Sequence, residues 1–225
     1  MKQIKLLGIT LRDYTLRESM KLVNSYLNNG ALNTISYIST QILVEAAENP
    51  EQQEWIESMD LTISGELDIL RAAAITSRNR FHEVENDEFM KEFLKKIVRN
   101  RKTIFLLSDS QGNLENLQNE IREYQENIRI VGSYILDELS GRQDSLINEI
   151  NDIVPTVIIS CMPYPYQEQL MYENKIRINS EVWIALPGNR KGKKKKKFGS
   201  GKISLYFDKR MFGNRINKYK DEMPD

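Results

Sequence analysis

Short apolar runs alternate with amphipathic segments along most of the chain. Apolar runs of strand length that are bounded by polar turns indicate strands, and apolar positions repeating every three to four residues indicate helices. The predicted strands are Ile4–Leu11, Thr34–Ser39, Leu61–Ile63, Thr103–Leu107, Ile128–Gly132, Val157–Cys161 and Val182–Leu186. The predicted helices are Leu16–Leu27, Gln41–Glu48, Gln52–Met59, Leu67–Ile75, Phe89–Ile97, Leu114–Tyr124, Leu146–Ile150 and Gln167–Asn174.

The start of the first helix has a specific signature. Thr15 precedes the first apolar helical position, and Glu18 follows it three residues later. A threonine and a glutamate at this spacing can each bond the backbone N–H near the other residue, which is the capping-box arrangement. The pattern therefore predicts that this helix begins directly after Thr15.

The order of the elements predicts the fold class. Val157–Cys161 and Thr103–Leu107 are nearly continuous apolar runs, which is typical of strands covered on both faces. Strands that alternate with helices favour an α/β three-layer sandwich around a mainly parallel, Rossmann-like sheet. We expect this domain to span residues 1–189, with a basic C-terminal appendage over residues 190–225.

Ligands of such sheets bind beyond the carboxyl ends of the strands. Three polar segments are predicted to lie there: Ser39–Thr40, Ser108–Gly112 and Met162–Glu168. The sequence thus predicts a binding site formed by loops that are far apart along the chain.

Composition narrows the chemistry. The chain has one cysteine, Cys161, which excludes an intramolecular disulfide, and one histidine, His82, which argues against a histidine-built metal site. No apolar run approaches the roughly 18 to 20 residues that span a bilayer. The N-terminus does not resemble a signal peptide. These features favour a cytoplasmic protein without a metal or a cofactor.

Charge is distributed unevenly, although the formal net charge is zero. The segment from Arg190 to Lys220 contains 13 lysines and arginines and one acid, and it includes the run Lys193–Lys197. Aromatic residues such as Phe212 are interleaved with these bases. The mixture favours binding to an anionic membrane surface, where each nearby cation contributes roughly 1 kcal/mol. A solubilising tail and nucleic-acid binding are the other interpretations, and nucleic acid is the least favoured.

Several segments resemble the WecG/TagA/CpsF glycosyltransferase family, in the same order and over about residues 4–188. Pro155–Glu168 corresponds without a gap to the family's strand that ends in Pro-Lys-Gln-Glu, and here it ends in Pro-Tyr-Gln-Glu. The other matching segments are Leu7–Ile9, Tyr14–Glu18, Phe105–Leu107 and Ile130–Gly132. The collinear order makes the resemblance more specific than any single segment.

The resemblance implies an activity. Such enzymes transfer an N-acetylated hexose from a UDP-sugar to a lipid-linked saccharide during bacterial cell-surface polysaccharide synthesis. The transfer inverts the anomeric centre and is metal-independent. The implied location is the inner face of the cell membrane, to which the protein binds peripherally. The resemblance allows a homo-oligomer but does not specify the number of subunits.

The matched positions give the candidate substrate-binding residues. Gln167 and Glu168 retain the family's Gln-Glu pair, and Arg80 corresponds to an arginine that could offset diphosphate charge. Ser108, Asp109 and Ser110 form a candidate nucleotide loop in the same region as the family's glycine-rich loop. The remaining matched positions are Tyr37, Ser39, Gly132 and Gly188. For the loop and for Arg80, an ordinary surface role is an equal alternative.

The catalytic position departs from the family pattern. The family's Asp-Gly pair, whose aspartate is the proposed base, corresponds to Gly65 and Glu66. Glu66 is therefore the candidate base, and Asp68 ranks behind it. Alternatively, both are ordinary acids in the first turn of a helix, where a negative charge interacts favourably with the helix dipole. The departure also favours a second hypothesis: a degenerate relative that binds or regulates an active transferase.

Overall fold

A computed structural model describes residues 2–136, 142–188, 211–216 and 219. The strands are β1 Lys2–Leu6, β2 Ile9–Asp13, β3 Asn33–Ile38, β4 Leu61–Ser64, β5 Thr103–Ser108, β6 Arg129–Ile135, β7 Val157–Met162 and β8 Val182–Pro187. The α-helices are α1 Leu16–Tyr26, α2 Thr40–Ala46, α3 Pro50–Glu57, α4 Leu67–Ala72, α5 Arg78–Glu85, α6 Glu88–Arg99, α7 Gln111–Tyr124, α8 Gln143–Ile153 and α9 Tyr166–Asn174.

Six strands form one sheet in the order β4-β3-β8-β7-β5-β6, and every neighbouring pair is parallel. All six residues of β3 and of β7 are buried, as expected for strands covered on both faces. The carboxyl ends of the six strands lie along one edge of the sheet. The predicted α/β class with a parallel, Rossmann-like sheet is confirmed.

Helices cover both faces of this sheet. Along β5, Ile104 and Leu106 pack into the cluster that contains residues of α1, α6 and α7, whereas Phe105 and Leu107 pack into the cluster of α8 and α9. This division follows from the two-residue repeat of a strand, which points successive side chains to opposite faces. The result is the predicted three-layer arrangement.

Helix α1 begins as predicted. Thr15 Oγ1 accepts a hydrogen bond from the backbone N–H of Glu18, and Glu18 Oε2 accepts one from the N–H of Thr15. Both bonds of the capping box are therefore present, which is worth about 1 kcal/mol to the helix.

The prediction of one opening strand over Ile4–Leu11 is wrong. Leu7 and Gly8 both have positive φ angles, 52° and 86°, and form a two-residue turn between β1 and β2. Positive φ at both central positions is the requirement of a type I′ hairpin turn. The hairpin forms its own two-stranded sheet and covers a third apolar cluster with α2, α3 and α4.

The predicted polar turn Ser108–Gly112 is shorter than expected. Ser108 is the last residue of β5, and Gln111 and Gly112 belong to the first turn of α7. The helix begins early because Ser110 Oγ accepts a hydrogen bond from the N–H of Asn113 at 3.3 Å. Only Asp109 and Ser110 connect the two elements.

The described part of the basic segment packs against the hairpin side of the molecule. Residues 211–216 are helical, and Phe212 and Ile216 are buried in the third apolar cluster. Arg215 Nη1 lies 2.5 Å from Glu48 Oε1. Lys193–Lys197 lies outside the described residues. Within the described ranges, none of the helices has the length and apolar character that crossing a membrane requires.

Candidate functional site

A cavity of about 670 Å³ opens at the carboxyl edge of the sheet. Its walls come from the ends of β3, β4, β7 and β8, from the first turns of α2, α7 and α9, and from α5. This size is within the usual range for sites that bind small molecules and cofactors. The location agrees with the rule that places ligands of parallel sheets beyond the strand ends.

Eight of the residues predicted from the sequence line this cavity. They are Tyr37, Ser39, Glu66, Arg80, Asp109, Gln167, Glu168 and Gly188. The other four predicted residues, Asp68, Ser108, Ser110 and Gly132, are not among the lining residues. The fold thus brings together residues that are separated by up to two thirds of the chain.

Glu66 is placed at the entrance to α4. It occupies the N-cap position of that helix, where its side chain makes no capping bond, and it lines the cavity. Its Oε2 accepts a hydrogen bond of 2.8 Å from Thr40 Oγ1. One hydroxyl thus orients the carboxylate, and its remaining lone pairs can accept a proton from a bound hydroxyl group.

Gly65 precedes this carboxylate and is confined by the neighbouring strand. Its N–H donates to the carbonyl of Ile38 at 2.8 Å. A Cβ atom at position 65 would lie 2.9 Å from that carbonyl oxygen, which is closer than ordinary van der Waals contact. A side chain here would therefore require the ends of β3 and β4 to move apart.

Glu168 is the most unusual group on the cavity wall. It is 1% exposed, and its Oε1 accepts a long hydrogen bond of 3.4 Å from Ser36 Oγ. Its Oε2 is buried and has no hydrogen-bond partner among the described residues. Burial raises the pKa of Glu168 to about 7, against smaller lowering effects of its own N–H, Gln167 and Ser36. A buried carboxyl without a cationic partner favours its neutral form.

Gln167, next to Glu168, has a different environment. Its Oε1 accepts from the N–H of Met162 at 3.1 Å, and its Nε2 donates to the carbonyl of Leu186 at 3.1 Å. The amide therefore ties the end of β7 to the end of β8. These contacts use the oxygen and one amide hydrogen, and a further hydrogen bond of the side chain lowers the pKa of Glu168. The amide therefore has little capacity left for the predicted contact with a sugar or phosphate oxygen.

Arg80 is buried within an ion-pair network. Its Nη2 lies 2.6 Å from Asp13 Oδ1, and its Nη1 contacts Glu83 Oε2. Burial lowers the pKa of Arg80, but hydrogen bonds and charges of Asp13 and Glu83 outweigh it and leave the pKa raised. Because two carboxylates already compensate this guanidinium, its predicted capacity to offset diphosphate charge is reduced.

Tyr37 and Ser39 hold their surroundings in place. Tyr37 donates its hydroxyl to Asp87 Oδ1 at 2.9 Å, and Tyr124 donates to Asp87 Oδ2 at 3.1 Å. Asp87 has a left-handed backbone conformation with φ of 51°. Ser39 Oγ accepts from the N–H of Ile42 at 3.2 Å and caps α2.

Two glycines have packing reasons to lack a side chain. A Cβ at Gly188 would lie 2.8 Å from the carbonyl oxygen of Met162, and one at Gly132 would lie 2.8 Å from the ring of Phe105. Gly188 allows β8 to pass close to the end of β7 at the cavity. Gly132 lies within edge strand β6, away from the cavity, so its glycine serves the packing of β6 on β5.

The other predicted residues outside the cavity have local roles. Asp68 Oδ1 pairs with Arg71 Nη1 at 2.6 Å on α4. Ser108 is fully buried and donates to the carbonyl of Cys161 at 3.0 Å. Ser110 caps α7 through its hydroxyl. Only Asp109 from this predicted loop lines the cavity, and it accepts from Asn113 Nδ2 at 2.8 Å.

Three residues with contacts at the site, Thr40, Ser36 and Asp87, were not among the predicted substrate-binding residues, although Thr40 belongs to the predicted polar segment Ser39–Thr40. Thr40 follows the predicted Ser39 and orients Glu66, while Ser36 is a polar residue inside the fully buried strand β3. A polar side chain within an otherwise apolar buried strand is a signal that could have identified Ser36. Asp87 carries no comparable signal, because its role depends on two tyrosines from distant segments.

The cavity has an acidic wall. Its described carboxyl groups are Glu66, Glu83, Glu85, Asp87, Asp109, Glu120 and Glu168. Among the described residues that line it, Arg80 is the single lysine or arginine. Across residues 2–136, 142–188, 211–216 and 219, no three histidine, cysteine or acidic side chains converge as metal ligands would.

A comparison with protein families identifies the scaffold. The model of the glycosyl transferase WecG/TagA/CpsF family matches residues 4–188. The match covers the six-stranded sheet, its helices and every residue named above on the cavity wall. A comparison with curated proteins gives no match.

Proposed function

Because the chain belongs to the WecG/TagA/CpsF glycosyltransferase family, we propose that it transfers an N-acetylated hexose from a UDP-sugar to a lipid-linked saccharide. Family membership assigns it a glycosyltransferase role in cell-surface polysaccharide synthesis. The donor, the acceptor, inversion at the anomeric centre and independence of metal are our proposals. The observation that carries them is Glu66, an oriented carboxylate on the wall of a cavity large enough for a nucleotide-sugar.

Glu66 would act as the base. An inverting transfer requires removal of the proton from the acceptor hydroxyl as that oxygen attacks the anomeric carbon. Thr40 supports this role because its hydroxyl occupies one lone pair of Oε2 and so fixes the carboxylate. Asp68 is a weaker candidate because its carboxylate is paired with Arg71 and does not line the cavity.

The diphosphate needs positive potential that the described wall provides only in part. The first turns of α2, α7 and α9 reach the cavity, and helix N-termini attract anions. Ser39 is the N-cap of α2, and the loop with Asp109 precedes α7.

Calorimetric titration with UDP-N-acetylglucosamine and UDP-N-acetylmannosamine tests donor binding. Product formation with a lipid-linked saccharide tests transfer. We expect saturable binding of at least one donor and a product with the opposite anomeric configuration. Absence of both binding and product would contradict the proposal.

A second function is supported by Gly65. The family position of the catalytic aspartate is a glycine here, and the 2.9 Å separation from the Ile38 carbonyl oxygen leaves no room for a side chain. The chain would then be a catalytically degenerate relative that binds or regulates an active transferase. Saturable donor binding without any product, together with stimulation of an active transferase, would favour this function.

Membrane association is a separate proposal. Lys193–Lys197 would bind anionic lipid at the inner face of the cell membrane, as lysine clusters do. Phe212 does not support it, because this side chain is buried in the protein. Co-sedimentation with phosphatidylglycerol vesicles should exceed that with phosphatidylcholine vesicles and decline with salt. Replacement of the five lysines by glutamine should remove the difference, and equal binding to both vesicles would contradict the proposal.

A further inference from the structure

Asp109 is a carboxylate on the cavity wall whose own contact with a ligand the proposed function does not assign. It follows the last residue of β5, lines the cavity and is only partly buried. Among the described residues, no lysine, arginine or histidine forms an ion pair with it. An uncompensated carboxylate repels a phosphate group and accepts hydrogen bonds, so the ligand group that suits it is a neutral donor such as a hydroxyl.

The neighbours of Asp109 occupy one of its two oxygens. Asn113 Nδ2 donates to Oδ1 at 2.8 Å, and the hydroxyls of Ser108 and Ser110 lie 3.3 and 3.4 Å from the same oxygen. No described residue donates a hydrogen bond to Oδ2. The carboxylate is therefore fixed through Oδ1 against the first turn of α7, and Oδ2 remains available to a ligand.

The strand order separates Asp109 from Glu66 along the cavity that both residues line. The ends of β4 and β5 lie four strand spacings apart in the sheet, which is roughly 19 Å. A hexose whose anomeric carbon lies beside Glu66, as the proposed function requires, does not reach the end of β5. Its diphosphate crosses the ends of the intervening strands, so the nucleoside is the part of an extended UDP-sugar that arrives at Asp109.

From this geometry we infer that Asp109 Oδ2 accepts a hydrogen bond from the ribose hydroxyls of the donor. The inference rests on the proposed function, because it concerns the nucleotide-sugar bound in the same cavity. Ribose presents adjacent 2′ and 3′ hydroxyls, and a carboxylate near a strand end is a known partner for them in parallel sheets that bind nucleotides. The family's loop at this place is glycine-rich, so this carboxylate is a feature of this chain.

The first test uses the unaltered protein and three ligands: UDP, 2′-deoxy-UDP and 3′-deoxy-UDP. Affinities are measured by calorimetry. At least one deoxy ligand should bind about tenfold more weakly than UDP, because it lacks a hydrogen bond to a charged acceptor. Equal affinity for all three ligands overturns the inference and leaves the glycosyltransferase assignment intact.

Substitutions then assign the discrimination to Asp109. In Asp109→Ala the three ligands should bind with equal affinity, because the acceptor of the hydroxyl is gone. Glu115→Gln is the matched control: it removes a negative charge from an exposed position on α7 that does not line the cavity, and it should keep the wild-type discrimination. Thermal unfolding shows that both variants are folded. Discrimination that persists in folded Asp109→Ala overturns the inference.

The hexose of the donor carries hydroxyls too, and a further comparison separates the two sources. Asp109→Ala should weaken binding of UDP and of UDP-N-acetylglucosamine by the same factor, because both contain the ribose. Weakened binding of the nucleotide-sugar with unchanged binding of UDP moves the contact to the hexose and overturns the assignment to ribose. Failure of the unaltered protein to bind UDP or any UDP-sugar overturns the proposed function and this inference together.

Discussion

At the carboxyl end of β4, Glu66 reaches the cavity and accepts one hydrogen bond from Thr40, whereas at the end of β5 the hydroxyl of Ser108 is fully buried against the carbonyl of Cys161. Both residues are polar and both lie where a parallel sheet binds ligands. The difference arises from their neighbours. The loops after β4 and β3 leave a crevice beside β8, whereas at the end of β5 the Ser108 hydroxyl is covered by β7 and only the next residue, Asp109, reaches the cavity.

The comparison extends to the glycines of the two regions. Gly188 lies on the cavity wall, but Gly132 lies under Phe105 and Ile153 in the packed region. A polar or small residue at a strand end is therefore available to a ligand only when the adjacent strand end leaves space. Substitutions in the open region should alter function, and those in the packed region should alter stability.

The largest expected effect is on transfer. Glu66→Gln should lower the rate of sugar transfer by about 10²–10⁴-fold, the usual contribution of a general base. Asp68→Asn should retain the rate, because its carboxylate pairs with Arg71 outside the cavity. Steady-state rates of product formation measure both. Loss of activity in Asp68→Asn with full activity in Glu66→Gln would reverse the assignment of the base.

The pH dependence of stability should change when Glu168 is replaced. The folded protein retains a proton on Glu168 up to about pH 7, which the unfolded chain releases at the ordinary pKa of glutamate. The stabilisation is therefore fully present below that ordinary value and is lost as pH rises through 7, by on the order of 3 kcal/mol. Urea unfolding of Glu168→Gln should lack this decline, whereas Glu173→Gln should keep it.

A smaller effect is expected in the packed region at Gly132. Gly132→Ala should lower the unfolding free energy by about 1–3 kcal/mol, because the added methyl group meets the buried ring of Phe105. Donor binding should not change. Gly112→Ala is the matched control, since nothing lies within 4 Å of its Cβ and alanine suits a helix better. Equal destabilisation by both would argue against the packing explanation.

The smallest effect is expected at the cap of α7. Ser110→Ala should cost about 1 kcal/mol of unfolding free energy, because the N–H of Asn113 loses its acceptor. Affinity for UDP-sugars should remain within twofold of wild type, which isothermal titration can resolve. A large loss of affinity at unchanged stability would place Ser110 in the nucleotide site after all.

Elements were predictable from the sequence where the residues that determine them are close together in the chain. The cap at Thr15 and the apolar strand Val157–Met162 are examples, because their patterns depend on residues close in the chain. Helix α5, Arg78–Glu85, was not predicted because only Phe81 and Val84 are apolar in it. The hairpin was missed because its two strands together alternate like one, and the turn is marked by Gly8 alone.

The site was predictable as a location but not as a set of contacts. Parallel strands place their loops at one edge, which is why eight predicted residues line the cavity. The strand order decides which loops meet, and no local pattern specifies that β8 inserts between β3 and β7. For this reason Gly132 was predicted as a site residue, although it lies on edge strand β6, away from the cavity. The sequence likewise contained no sign that Oε2 of Glu168 would be buried without a hydrogen-bond partner among the described residues.

The position of β8 has a consequence for how the chain assembles. Within the described sheet, strand pairing joins the β4-β3 pair to the β7-β5-β6 group through this strand alone, which is the last of the sheet in sequence. Asn33 pairs with Val182 across most of the chain, and such distant closure makes folding slow. Both halves contribute walls to the cavity, and Pro187 and Gly188 at the end of β8 complete it, so the full cavity requires β8 to be in place. A ligand that contacts both walls would therefore favour the completed sheet over the half-assembled chain.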